Sequence, residues 1–174
     1  MVNLVDSALE FRLTSGRFTE QFETDMQAAV GLAQLKKMPS FSQKRRENFA
    51  FLRKELEVVS DKLILPDACP NSDPCWFGFL MTCRDGSDRN KIVRYVESKG
   101  IQTRMLFAGN ITKHPCFDTI RNDDKIYKVV GSLENTDKIM SSSFWIGVYP
   151  GMTEEKLAYM CKTIISAVNG QAGV

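Results

Sequence analysis

The chain has 174 residues, of which 43% are hydrophobic and 25% are charged, and its formal net charge is +2. A chain of this length and composition can bury a core of its own, as soluble globular domains do. The small net charge argues against a nucleic-acid partner, and no apolar run approaches the roughly 18 residues of a membrane span.

Residues that commonly bind metals are few and scattered. The chain contains five cysteines and one histidine, namely Cys69, Cys75, Cys83, Cys116, Cys161 and His114. No two cysteines form a Cys-x-x-Cys pair, so we predict reduced thiols and no metal site. The first residues lack the basic-then-apolar layout of a secretory signal, and we therefore expect a cytoplasmic protein.

The chain begins with weakly patterned residues 1–23, within which alternating apolar side chains over 9–13 suggest a short strand. Thr24 and Gln27 then fit a capping box, in which the side chain of each residue accepts a hydrogen bond from the backbone N–H of the other. This pair predicts that a helix begins at Thr24 and runs to about Lys37.

Pro39 is expected to end this first helix, and a second helix follows it at once. Ser40 and Gln43 make another capping box, and apolar residues at helical spacing continue to about residue 60. We therefore predict two long helices within residues 24–60. The small side chains of the first helix would let another part of a larger protein pack closely against it.

Three strands separated by helices are predicted downstream. The strands cover about 75–82, 101–107 and 143–148, after an extended segment that ends at Pro66. Helix starts are predicted at Ser87 or Asp88, at Thr136, and at Thr153. This order predicts an α/β (α+β) fold, in which a small three-stranded sheet with helices on one face is preceded by the two long helices.

Several segments together resemble one enzyme family. They comprise residues 24–35 (TDMQAAVGLAQL), 45–48 (RREN), 76–79 (WFGF), 100–110 (GIQTRMLFAGN), 135–137 (NTD) and 144–151 (FWIGVYPG). On these motifs, the chain resembles the C-terminal small domain of the fold-type-I, pyridoxal-phosphate-dependent sugar aminotransferases. Within that family it is similar to the CDP-4-keto-6-deoxy-D-glucose-3-dehydrase branch, and the resemblance covers about residues 24–169.

The resemblance implies a role in lipopolysaccharide and deoxysugar biosynthesis. Members of the branch remove the 3-hydroxyl of a nucleotide-linked keto-sugar with pyridoxamine phosphate, and some carry a [2Fe–2S] cluster. In the family, a large domain upstream of the segment at Thr24 holds the catalytic histidine, the coenzyme ligands and the cluster cysteines. Only 23 residues precede Thr24, and His114 does not occupy the catalytic position. We therefore expect no catalytic, cofactor-binding or metal residue in this chain.

The expected domain organisation follows from the same comparison. Residues 1–23 are expected to be an extension outside the family, because the family's Gly-Tyr-Asn is replaced by Phe-Thr-Glu at 18–20. Residues 24–60 would be the interdomain and brace helices, and 61–174 the small domain. We thus expect a truncated dehydrase-like protein that does not catalyse by itself.

Four residues remain as candidates for contact with a nucleotide-sugar: Arg104, Phe107, Gly109 and Asn110. The guanidinium of Arg104 could bind a sugar hydroxyl or a diphosphate, with Phe107 and Gly109 shaping the loop. The alternative, that Arg104 pairs with a nearby acid and Asn110 caps a turn, stays open. A second hypothesis for the whole chain is a binding or regulatory module. It would hold a nucleotide-sugar, or pair with a full-length paralogue, a second copy or a large-domain partner.

Overall fold

The structure is a computed structural model that describes residues 17–121, 125 and 128–170, with side chains described from residue 20 onward. The strand predicted over 9–13 lies outside these residues. The boundary between two compact units of the chain falls between Ser42 and Gln43.

One long helix, α1 (Arg17–Glu55), replaces the two helices that the sequence predicts, and Pro39 lies inside it. The predicted caps make a different hydrogen bond. Thr24 Oγ1 donates to the Glu20 carbonyl oxygen at 2.8 Å, and Ser40 Oγ donates to the Lys37 carbonyl oxygen at 2.8 Å. Hydroxyls that bond to the preceding turn occur within helices, and so the two predicted helix starts are wrong.

The first part of α1, up to Ser42, exposes a series of large apolar side chains. They include Phe22, Met26, Val30, Leu32, Leu35 and Met38, each at least half exposed. Gly31 and the alanines of this part of the helix are too small to shield these side chains from solvent. This part of the helix therefore presents apolar surface to solvent.

The second unit contains a four-stranded antiparallel sheet in the order β1-β2-β4-β3. The strands are β1 (Leu63–Ile64), β2 (Gly78–Cys83), β3 (Thr103–Arg104) and β4 (Ser143–Gly147). For this unit the sequence predicts three strands. The additional strand is β1, which lies in the predicted extended segment and pairs Leu63 with Cys83.

The described part of this unit contains three further helices: α2 (Arg89–Ser98), α3 (Glu134–Ser142) and α4 (Glu154–Val168). The cap of α2 is Asp88, whose side chain accepts from the N–H groups of Asn90 and Lys91 at 2.9 and 3.2 Å. Thr153 caps α4 as predicted. Short 3₁₀ turns follow α1 at Leu56–Val59 and follow β3 at Ile111–Lys113 and Pro115–Phe117.

The core lies on one face of the sheet, because successive strand residues point to opposite faces. Buried residues of the two central strands pack with apolar residues from the second part of α1, from α2 and from α4. They include Phe79, Met81, Phe144, Ile146, Leu52, Val96 and Ile164. The intervening residues, such as Leu80 and Trp145, are only half-buried. The predicted mixed fold is therefore confirmed, with one more strand and one long helix in place of two.

Candidate functional site

Arg104 is exposed on the edge strand β3, directly opposite Trp145 of β4. Directly opposite residues of an antiparallel pair share one face, with Cβ atoms about 5 Å apart. Arg104 therefore lies on the same face as the half-buried Trp145. Within the part of the chain that the structure describes, no acidic side chain forms a salt bridge with Arg104.

The indole of Trp145 is held from three sides. Its Nε1 donates to the Met105 carbonyl oxygen at 3.2 Å, and the Phe77 ring meets it edge-on with centroids 5.4 Å apart. On β2, a Cβ at Gly78 would lie 2.6 Å from Trp145 Cε3, so only glycine fits beneath the ring. The position of this aromatic side chain is therefore fixed by its neighbours.

An open cleft of about 430 Å³ adjoins Trp145. Its lining is mainly apolar and includes Trp76, Phe77, Leu80, Leu106, Phe107 and Trp145. Phe107 is 78% exposed and has φ of 37°, in the left-handed region that non-glycine residues rarely adopt. A side chain held exposed in such a conformation often belongs to a functional site.

Asn110 is almost completely buried, at 2% exposure, and its side-chain amide makes three hydrogen bonds. The oxygen accepts from the Thr112 N–H at 3.1 Å and from Thr112 Oγ1 at 2.7 Å. The Nδ2 group donates to Asp137 Oδ1 at 2.7 Å. Asn110 thus caps the 3₁₀ turn that follows it, as the alternative interpretation of the sequence had it, and its amide is not presented to a ligand.

Gly109 is placed by a close approach of α3. Its φ is 61°, and a Cβ there would overlap the Cγ atom of Met140. The next N–H along the chain, that of Asn110, donates to Met140 Sδ at 3.3 Å. The loop therefore needs glycine at 109 for both its backbone conformation and its packing.

Asp137, a residue of the 135–137 motif, proves central to this loop although the sequence gives no role for it. Its Oδ2 forms a salt bridge with Lys113 Nζ at 2.8 Å, while its Oδ1 binds Asn110. The hydrogen bond from Lys113 and then that from Asn110 hold the pKa of Asp137 below its usual value. The only signal for this role was the motif itself.

Three further side chains that could carry chemistry, those of His114, Cys83 and Cys161, are either hydrogen-bonded or protonated. A ring nitrogen of His114 lies 2.5 Å from the Ala108 carbonyl oxygen. Burial raises the pKa of the Cys83 thiol to about 11 and that of Cys161 to about 12, so neither is a thiolate near neutral pH. Among the described residues, no three histidine, cysteine or acidic side chains are grouped to hold a metal ion.

Membrane insertion through a helix has no support in the described ranges. None of the helices there combines the length and the apolar character that crossing a bilayer requires.

Comparison with known families gives one match that covers most of the chain. Residues 15–165 match the DegT/DnrJ/EryC1/StrS aminotransferase family. The match begins upstream of Thr24, so it includes residues 15–23, which the sequence analysis placed in an extension outside the family.

Two curated relatives are more than two-fifths identical to this chain over the residues that align. The lipopolysaccharide biosynthesis protein RfbH of Salmonella typhimurium is 45% identical over 139 residues, which are 79% of this chain and 31% of RfbH. The dTDP-4-dehydro-2,6-dideoxy-D-glucose 3-dehydratase of Saccharopolyspora spinosa is 42% identical over 147 residues, 83% of this chain and 30% of that protein. The chain thus spans about a third of the length of these relatives.

Solved structures of similar fold are also larger than this chain. The Escherichia coli GDP-4-keto-6-deoxy-D-mannose-3-dehydratase with bound hydrated PLP superposes with a TM-score of 0.65 at 23% identity, covering 80% of this chain and 34% of that chain. The aminotransferase TlmJ of Streptoalloteichus hindustanus gives a TM-score of 0.68 at 16% identity, covering 84% and 37%. At such identities the likeness shows the fold alone.

Proposed function

The chain belongs to the DegT/DnrJ/EryC1/StrS aminotransferase family, and on this premise we propose that it forms the small-domain part of a nucleotide-sugar 3-dehydratase. The pathway would be deoxysugar or lipopolysaccharide biosynthesis in the cytoplasm. One observation carries the proposal: the chain is 45% and 42% identical to two relatives, one named for lipopolysaccharide biosynthesis and the other for 3-dehydration.

Arg104 is the residue that we propose for binding the nucleotide-sugar. A guanidinium can offer two parallel N–H donors to a diphosphate, and this one is exposed and without a salt bridge in the described part of the chain. Phe107 would line the neighbouring cleft. Gly109 and Asn110 would then act on the loop conformation, since the amide of Asn110 is already occupied.

The described residues do not fit a pyridoxal phosphate or pyridoxamine phosphate coenzyme. Such a coenzyme needs a lysine or its substitute at the reactive carbon and a charged partner at the pyridine nitrogen. Every lysine that the structure describes is exposed or half-exposed, and the ring of His114 is bonded to Ala108. We propose that the coenzyme, and any [2Fe–2S] cluster, depends on residues other than those described.

It follows that these 174 residues would not dehydrate a sugar by themselves. Proton transfer and electron delocalisation would have no group to carry them, even if the nucleotide-sugar were held by Arg104. The proposed role of the chain is therefore to bind and orient the nucleotide-sugar on the small-domain side.

Spectroscopy and calorimetry test this proposal together. After incubation with pyridoxal phosphate and gel filtration, the purified chain is expected to retain no coenzyme absorbance, whereas titration with CDP-glucose should give heat of binding. The E. coli dehydratase whose structure contains PLP is the positive control for coenzyme retention. Retained coenzyme would contradict the first half of the proposal, and absence of heat would contradict the second.

The apolar surface on the first part of α1 favours a second candidate function, a binding or regulatory module. Phe22, Leu32 and Leu35 are 65%, 61% and 58% exposed, and large exposed apolar side chains often mark a protein interface. The partner would be a second copy, a full-length paralogue or a large-domain polypeptide. Size-exclusion chromatography with light scattering would show a dimer or mixed complex in that case, and a monomer would contradict it.

A further inference from the structure

A single carboxylate on α3 holds both ends of the turn that follows the candidate site. Asp137 Oδ1 accepts from Asn110 Nδ2 at 2.7 Å, and Asp137 Oδ2 binds Lys113 Nζ at 2.8 Å. Asn110 directly precedes the 3₁₀ turn Ile111–Lys113 and caps it by accepting from the Thr112 N–H, and Lys113 is the last residue of that turn. The conformation of this turn is therefore tied to the position of α3.

A second contact from the same helix fixes the backbone just before the turn. Met140 lies three residues after Asp137, and residues at this spacing share one face of a helix. Its side chain packs on Gly109, and its Sδ accepts from the N–H of Asn110 at 3.3 Å. Asp137 and Met140 thus contact adjacent residues of the loop, Asn110 and Gly109.

The left-handed conformation of Phe107 lies immediately upstream of these contacts. Such conformations persist only where the surrounding structure fixes them, and the exposed ring of Phe107 cannot supply that restraint by its own burial. The Gly109 N–H donates to the Leu106 carbonyl oxygen at 3.3 Å, and this bond links Gly109, on which Met140 packs, to the residue before Phe107. The restraint on Phe107 therefore comes through Gly109 and Asn110.

We infer that Asp137 and Asn110 act as positioning residues, which hold the loop so that Phe107 lines the cleft beside the strand that carries Arg104. The inference rests on the proposed function, since it gives these two residues a part in presenting the groups that meet the nucleotide-sugar. Neither residue needs to touch the ligand.

Substitutions with a matched control test the inference. Asp137→Leu removes both bonds, and the milder Asp137→Asn removes the charge alone. In the exchanged pair, Asn110→Asp with Asp137→Asn, the bond between the two positions can form again with its direction reversed. The control is Asp85→Leu, which removes a salt bridge to the same helix, at Lys138, without touching the loop.

The primary measurement is amide hydrogen exchange by NMR at Gly109, Thr112 and Lys113. In Asp137→Leu we expect about tenfold faster exchange at these amides, because a hydrogen bond to a charged group is lost. Exchange in the core strand β2 should not change, the exchanged pair should recover most of the protection, and the control should match the wild type.

The second measurement is the affinity for CDP-glucose, which a merely structural bond would not alter. We expect it to weaken in Asp137→Leu and to recover in the exchanged pair. Unchanged exchange at the three loop amides would overturn the inference, and so would faster exchange with unaltered affinity. If the wild type itself binds no CDP-glucose, the proposed ligand role of Arg104 fails, and the exchange result alone decides whether Asp137 fixes the loop.

Discussion

The charge and the exposure of Arg104 lead to a direct prediction about ligand binding. Replacing it by lysine keeps the positive charge but removes the paired N–H donors that suit a diphosphate. We expect Arg104→Lys to weaken CDP-glucose binding by about tenfold, the loss of roughly one charge-assisted hydrogen bond. Arg94→Lys, at another exposed arginine on α2, is the matched control for calorimetry. Equal affinities in the two variants would contradict the role of Arg104.

Gly109 gives a prediction about stability. Gly109→Ala should cost about 1–3 kcal/mol, because it combines a left-handed backbone with an overlap on Met140. Gly131→Ala is the control, since Gly131 has φ of 77° but a Cβ added there would meet no atom within 4 Å. Its cost should be only the backbone component, about 1 kcal/mol. Urea denaturation of both variants measures the difference, and equal costs would show that Met140 does not press on residue 109.

The cysteines differ in predicted reactivity because the thiolate is the reactive form. Burial raises the pKa of Cys83 to about 11 and that of Cys161 to about 12, so both stay protonated at a pH of about 8. Cys69 and Cys116 are exposed. In a thiol-disulfide labelling assay, the exposed pair should react at once and the buried pair only after denaturation. Rapid native labelling of Cys83 or Cys161 would contradict the burial.

The sequence could name the candidate residues of the site, but not the residues that support them. Arg104 and Phe107 were named from the motif, but Phe107 lies in a turn beyond the two residues of β3 and not in the predicted strand over 101–107. The role of Asp137 depends on a contact 27 residues away in the chain. The same distance in sequence explains why the role of Asn110 stayed open. No local sequence pattern distinguishes a side-chain amide that is free to bind a ligand from one that is hydrogen-bonded to a helix far away in the sequence.

At the scale of secondary-structure elements, the long strands and the capped helices were predictable, whereas the start of α1 and its continuation through Pro39 were not. β2 and β4 have clear apolar patterns, and Thr153 caps α4 as expected. β1 has two residues, too few to show a periodicity. In α1 the predicted caps failed because a hydroxyl that can accept from the following turn can equally donate to the preceding one.

Replacing Ser40 by alanine distinguishes one continuous helix from the predicted pair of helices, because the two arrangements predict stability changes of opposite sign. If Ser40 capped a second helix, Ser40→Ala would cost about 1 kcal/mol. Because its hydroxyl donates to the Lys37 carbonyl within α1, we expect a small gain instead, about 0.5 kcal/mol from the better helix propensity of alanine. Thr153→Ala, at a true cap, should lose about 1 kcal/mol and serves as the control. Thermal denaturation followed by circular dichroism measures both.

At the scale of the whole molecule, the sequence identities and the site support the same proposal, in which this chain holds the nucleotide-sugar and other residues hold the coenzyme. Identity to the relatives extends over about four-fifths of this chain but about a third of theirs. The described residues offer an exposed guanidinium, an apolar cleft and a braced loop, which are means of holding a ligand. Under the proposed function, the coenzyme depends on residues other than those described.

A turnover assay tests the central claim most directly. The purified chain would be incubated with CDP-4-keto-6-deoxy-D-glucose, pyridoxamine phosphate and a chemical reductant, and the products would be separated by chromatography and weighed by mass spectrometry. The proposed function predicts that the sugar keeps its 3-hydroxyl. A 3-deoxy product formed by these 174 residues alone would contradict it.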